Sequence, residues 1–128
     1  MFVLDLFMSR YIIVVDDDKE IREIVTFALT QNGFEVAVAG NGAQLPALLA
    51  ARLPDLILMD VMMPGQDGYQ IFYNLRSDSQ TLQIPVMIMT AHTEDIYARI
   101  SHDLGAVHIT KPFHPLDLVE KVKALLGE

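Results

Sequence analysis

The chain alternates short, unbroken apolar runs with stretches of helical periodicity, and this alternation limits its fold more than any other feature. Residues 11–16 (YIIVVD) form a continuous β-branched run, and Leu56–Asp60 (LILMD) and Val86–Thr90 (VMIMT) are likewise unbroken and apolar. Such runs mark strands buried on both faces. Residues 34–38 and the shorter run Val107–Thr110 complete a set of five. After Asp18, which can cap a helix, Ile21, Ile24, Val25, Ala28 and Leu29 recur at helical spacing until Gly33. Residues 43–52 predict a second helix whose first turn Pro46 delays or kinks. Residues 69–76 place Ile71, Phe72 and Leu75 on one face, and residues 95–104 place Ile96, Ile100 and Leu104 in register. Pro115 opens a last helix with Leu118, Val119, Val122, Leu125 and Leu126 as its apolar stripe. Strands alternating with helices imply an α/β domain with a parallel sheet covered on both faces.

At 128 residues the chain has room for one such domain, expected over residues 10–128 behind an extension at residues 1–9. The last helix runs to within three residues of the C-terminus, so no effector domain is expected within this chain. The extension is apolar but carries Asp5 and lacks a basic start and a cleavage site, which fits a signal peptide poorly. It reads as an over-extended start, with Met8 as a second start, or as an arm that packs on a partner. No apolar run reaches the ~18 residues that span a membrane; the location expected is cytoplasmic. A net charge of −8 argues against direct binding to a phosphate backbone. The absence of cysteine removes disulfides, thiolate metal sites and cysteine nucleophiles together.

In an open parallel sheet, ligands bind beyond the carboxyl ends of the strands. Here those ends carry Asp16 and Asp17, Asp60, Thr90, and then Thr110 and Lys111. If the strands are neighbours, one pocket holds three carboxylates, a hydroxyl and an ammonium. Two like charges about 4 Å apart cost about 4 kcal/mol at an effective dielectric of 20. A hard divalent cation offsets that repulsion, and oxygen ligands without His or Cys suit Mg²⁺. Mg²⁺ favours one or two carboxylates plus a phosphoryl group. Lys111 adds a compact positive charge and Thr90 a donor. Asp60, at a strand end before a Gly/Pro loop, is best placed to act as a nucleophile and form an aspartyl phosphate.

Four segments in order, VVDDDKE, LILMDVMMPGQDG, MTA and KPF, resemble those of the response-regulator receiver domain. The resemblance runs from about Arg10 to Leu126. It implies a flavodoxin-like, doubly wound (βα)5 fold with strand order 2-1-3-4-5. It implies a phosphorylation-activated switch in which Asp60 takes a phosphoryl group from a phosphohistidine of a sensor histidine kinase or a histidine phosphotransfer protein. Asp16, Asp17, Asp60 and the backbone carbonyl of Met62 then hold Mg²⁺, with Asp17 the more direct ligand than Asp16. Thr90 hydrogen-bonds the phosphoryl group, Lys111 pairs with it, and the Lys111–Pro112 bond is cis. The face of the fourth helix, fifth strand and fifth helix then changes its preference for an unidentified downstream protein, as a monomer or a phosphorylation-dependent dimer. The domain catalyses its own phosphotransfer and dephosphorylation without being a turnover enzyme.

One position departs from the family. A Tyr or Phe usually stands three residues before the lysine and reports phosphorylation, and here it is His108. Coupling of Thr90 to the output face must then work differently, with Thr90 and His108 as the switch pair. Other residues read plainly: Asp18 as a helix cap, Asp67 and Gly68 as loop shapers, and His92, His102 and His114 as surface. The methionines Met59, Met62, Met63, Met87 and Met89 read as gap fillers. Three readings compete with the switch. A degenerate receiver that only docks is disfavoured because all the site residues are present. An aspartate-nucleophile phosphohydrolase needs a cap or a second acid–base carboxylate, and position 62 is methionine. A flavin-type cofactor site needs a Ser, Thr or Gly cradle where this chain has three aspartates.

Overall fold

The computed structural model describes residues 9–91 and 96–128. Five strands form one sheet: β1 (Tyr11–Val15), β2 (Glu35–Ala39), β3 (Leu56–Asp60), β4 (Val86–Thr90) and β5 (Val107–Thr110). All pairings are parallel and the order is β2-β1-β3-β4-β5, the order expected. Position in the sheet follows the sequence. The unbroken runs β1, β3 and β4 are buried along their whole length and sit in the centre. The more polar β2 and β5 take the edges, where one face meets water.

The helices are α1 (Lys19–Gln31), α2 (Leu45–Ala51), α3 (Gly68–Ser77), α4 (Ile96–Asp103) and α5 (Pro115–Leu125). Alternate strand residues point to opposite faces and build two cores. On one face Ile13, Val15, Ile57, Met59 and Ile88 pack with Leu45, Tyr69, Phe72 and Leu75 from α2 and α3. On the other, Ile12, Val14, Leu58, Met87 and Met89 pack with Val25 and Leu29 of α1 and Leu118, Val119 and Val122 of α5.

Local details differ from the sequence-based expectations for identifiable reasons. The β2 ladder starts at Glu35, whose amide bonds the carbonyl of Arg10, so Phe34 enters the core without pairing. A 3-10 turn at Gly42–Gln44, capped by the side chain of Asn41, precedes α2. Pro46 therefore stands in the first turn of α2, where it starts the helix rather than kinking it. The expected loop after β3 contains a small antiparallel hairpin of Met62–Met63 with Gln66–Asp67.

In α4, Ile96 and Ile100, with Leu104 just beyond its end, share a face as the spacing predicts, and that face points outward. The buried residues of α4 are Ala98 and Ser101. Ile24 of α1 likewise sits at the exposed margin of its stripe. The start of the expected helix, Asp95, and His92 lie outside the described residues, as do residues 1–8.

Gly68 fixes how closely α3 approaches the sheet. A Cβ there would lie 2.4 Å from the Val61 Cα and 2.9 Å from the Asp60 carbonyl oxygen, both backbone atoms. Gly68→Ala should therefore push α3 off the end of β3 and cost about 1–3 kcal/mol. Urea unfolding should show a lower midpoint at an unchanged slope; an unaltered midpoint would mean the contact is not confining.

Candidate functional site

The site forms because β1, β3, β4 and β5 end side by side. Asp16 leaves β1 fully buried, its amide bonded to the Ala39 carbonyl at 3.1 Å. Its Oδ1 accepts the Asp18 amide at 2.9 Å, and its Oδ2 accepts from Lys111 Nζ at 2.8 Å. Asp17, next along, is exposed. Asp18 turns outward as the N-cap of α1, accepting from the amides of Glu20 and Ile21. The acidic triplet thus divides its labour: one buried residue, one at the rim and one cap.

Asp60 ends β3 and is 5% exposed. Its Oδ1 accepts the Met62 amide at 3.0 Å, and its Oδ2 lies 3.3 Å from Lys111 Nζ. Lys111 follows β5 through a cis bond to Pro112, as the resemblance implied, and its amide bonds the Thr90 carbonyl at 2.9 Å. Thr90 closes β4 and is buried, one residue beyond Met89, the partner of Asp60 in the ladder. Thr110 pairs with Thr90 and is exposed, outside this ion-pair network.

Carboxylate oxygens of Asp16, Asp17 and Asp60 all lie within 4.8 Å of one another. Like charges at this spacing repel, and the ammonium of Lys111 answers two of them. Burial raises the Asp60 pKa; the Met62 amide and the Lys111 charge pull it back, and Asp16 adds to the rise. Burial alone would lower the Lys111 pKa, but the hydrogen bond and charge of Asp16, then those of Asp60, outweigh it and raise the value. The donor set is hard oxygen with no sulfur or imidazole and is close enough to share one ion, so it fits Mg²⁺.

The structure brings Asp16, Asp17, Asp60 and Lys111 together, with Thr90 at the neighbouring strand end. Met62 is tied to Asp60 through its amide, while its side chain is 64% exposed and fills no gap in the core. The other four methionines of that group, Met59, Met63, Met87 and Met89, are buried as expected. His108 lies apart on β5, half-buried, with Nε2 at 3.0 Å from Ser101 Oγ. His114 caps α5 through Nδ1, which accepts the Leu116 amide. Sequence reasoning missed Arg22, whose Nη1 donates to the Asp16 carbonyl at 2.8 Å and braces the loop after β1. The available signal was its place one helical turn after Asp18.

The pKa of Asp60 yields a pH dependence with a definite sign. Raised above the ordinary aspartate value of 3.8, it favours the protonated folded state. Its contribution to stability is full below that value and is lost as pH rises through the raised value. Without divalent cations, Asp60→Asn should match the wild type at low pH and exceed it at neutral pH. A gain of about 1 kcal/mol corresponds to roughly 3–5 °C in Tm for a domain of this size. Thermal unfolding of both proteins across pH tests this; a gap that does not grow with pH contradicts it.

Residues 12–123 match the family described as the response regulator receiver domain. The phosphate regulon transcriptional regulatory protein PhoB of Escherichia coli strain K12 is 42% identical over 120 residues, covering 93% of this chain and 52% of that protein. The DNA-binding response regulator MtrA of Mycobacterium leprae is 38% identical over 120 residues, covering 93% of this chain and 52% of that protein. The chain thus spans about half the length of these curated relatives. The solved chemotaxis response regulator CheY4 of Vibrio cholerae superposes with a TM-score of 0.85 at 28% identity, over 93% of this chain and 100% of that one. The receiver domain of the Francisella response regulator 1452 does so with a TM-score of 0.80 at 30% identity, over 93% and 98% of the two chains. The sheet order, the acidic strand ends and these likenesses agree: the chain belongs to the response-regulator receiver-domain family of two-component signalling.

Proposed function

We propose that this domain is a phosphorylation switch in which Asp60 takes a phosphoryl group from a phosphohistidine of a sensor kinase or phosphotransfer protein. The observation that carries the reading is the placement of Asp60. It sits buried at a strand end, 3.3 Å from Lys111 Nζ and within a set of three carboxylates. An Asp60 carboxylate oxygen forms a bond to phosphorus as the phosphorus–nitrogen bond breaks, and the released electron pair stays on the donor imidazole, which then takes up a proton. Lys111 pairs with the transferred oxygens, and the Thr90 hydroxyl, at the adjoining strand end, donates to one of them. Asp16, Asp17, Asp60 and the Met62 carbonyl are the residues that would hold Mg²⁺. Bound there, the ion supplies positive charge to the phosphoryl oxygens.

The partner face follows from α4. Its outward residues Ile96, Tyr97 and Ile100, with Leu104 just beyond its end, form an apolar surface beside β5, suited to a protein partner or a second copy once phosphorylation shifts the helix. The relatives are named as regulators, and two of them as regulating transcription or binding DNA. This acidic domain would itself dock on a protein and not on a phosphate backbone. Among the described residues no helix is long and apolar enough to cross a membrane, and we place the domain in the cytoplasm.

Labelling by acetyl phosphate tests the reading. Wild type should gain one phosphoryl group, labile to alkali and to hydroxylamine as an acyl phosphate is, only when Mg²⁺ is present. Asp60→Asn should lose at least 90% of it, roughly a tenfold effect or more. Equal labelling of the variant would remove Asp60 from its role.

A further inference from the structure

The position that departs from the family is wired to α4 by a specific hydrogen-bond chain. Ser101 is fully buried, and its Oγ lies 2.9 Å from the carbonyl of Ala98 and 3.0 Å from His108 Nε2. A hydroxyl has one hydrogen, and a carbonyl can only accept. With the Ser101 hydrogen directed to Ala98, the Ser101 oxygen faces His108 as an acceptor and matches the tautomer that carries its hydrogen on Nε2.

This bond bears unusual weight. The buried residues of α4 are the small Ala98 and Ser101, while its large apolar residues point outward. Burial alone anchors this helix thinly, and Tyr97 adds a ring stacked on Tyr69 at 5.8 Å. The register pairs Ile88 with His108 and Thr90 with Thr110. Thr90 and His108 thus share the sheet face toward α4, one strand apart and two residues along. A cleft of about 470 Å³ opens beside the ring, lined by Arg99, His102, Asp103 and Val107, with the His102 ring centroid 6.5 Å away. The ring has one place on Ser101 and room for another.

We propose that the His108–Ser101 hydrogen bond is a latch that holds α4 in its resting position, and that phosphorylation of Asp60 opens it. Ser101 is then a positioning residue that acts through His108. The proposal rests on the reading of Asp60 as the phosphoacceptor. The latch favours the resting state by one hydrogen bond, so removing it shifts the population toward the active state by about 3- to 10-fold.

Beryllofluoride with Mg²⁺ serves as the phosphoryl probe. Ser101→Ala and His108→Phe should each bind it about 3- to 10-fold more tightly than wild type, and the double variant no more tightly than either single one. Ser101→Cys, which keeps a weak acceptor, should fall between. Long-range ¹⁵N–¹H spectra of the wild type should show His108 protonated on Nε2 when resting, with that signal shifted by the probe. These spectra need no variant to fold. A resting ring bare at Nε2, or variants that bind with wild-type affinity while the wild type responds, overturn the latch. A wild type that ignores the probe overturns the phosphoacceptor reading and the latch with it.

Discussion

The contact on which the site depends is the ammonium of Lys111 between Asp16 at 2.8 Å and Asp60 at 3.3 Å. Two carboxylates mostly removed from water do not coexist without such an answer, since each lacks the solvent that would screen it. Lys111 comes from β5, Asp16 from β1 and Asp60 from β3, so the contact is possible only in a sheet that sets these strand ends side by side. The order β2-β1-β3-β4-β5 is thus a requirement of the chemistry as well as of packing. One ammonium cannot neutralise three carboxylates, and the imbalance leaves an oxygen cluster that could hold a cation.

The central strands were legible because short continuous apolar runs bounded by turn residues have few other uses in a chain of this length. The strand ends were legible because the acidic and basic residues fall where strand gives way to loop. The α4 face was not, and the reason is physical. A stripe at helical spacing reveals that one face is apolar, not whether the core or a partner covers it. Ile96, Ile100 and Leu104 face outward, and Ala98 and Ser101 are the residues that α4 buries. Arg22 and Ser101 escaped for a related reason. Each acts through one hydrogen bond to a residue distant in the chain or to a backbone atom, and no periodicity or charge pattern encodes such a bond.

Site and surface connect through β4 and β5. Lys111 and Thr90 are joined by a backbone hydrogen bond, and His108 lies two residues before Thr110, the ladder partner of Thr90. Any pull on Thr90 or Lys111 is therefore felt within one ladder step of the residue that holds α4. In place of a large aromatic ring, this domain has a smaller imidazole and a hydroxyl, a pair with definite donor and acceptor roles.

The central claim is that buried, crowded carboxylates are poised for a divalent cation. Its most direct test is the carboxyl ¹³C titration of Asp60 with and without Mg²⁺. Asp60 should ionise above the ordinary aspartate value in the metal-free protein, and saturating Mg²⁺ should drive that midpoint down. An ordinary midpoint that Mg²⁺ leaves unmoved would contradict the account.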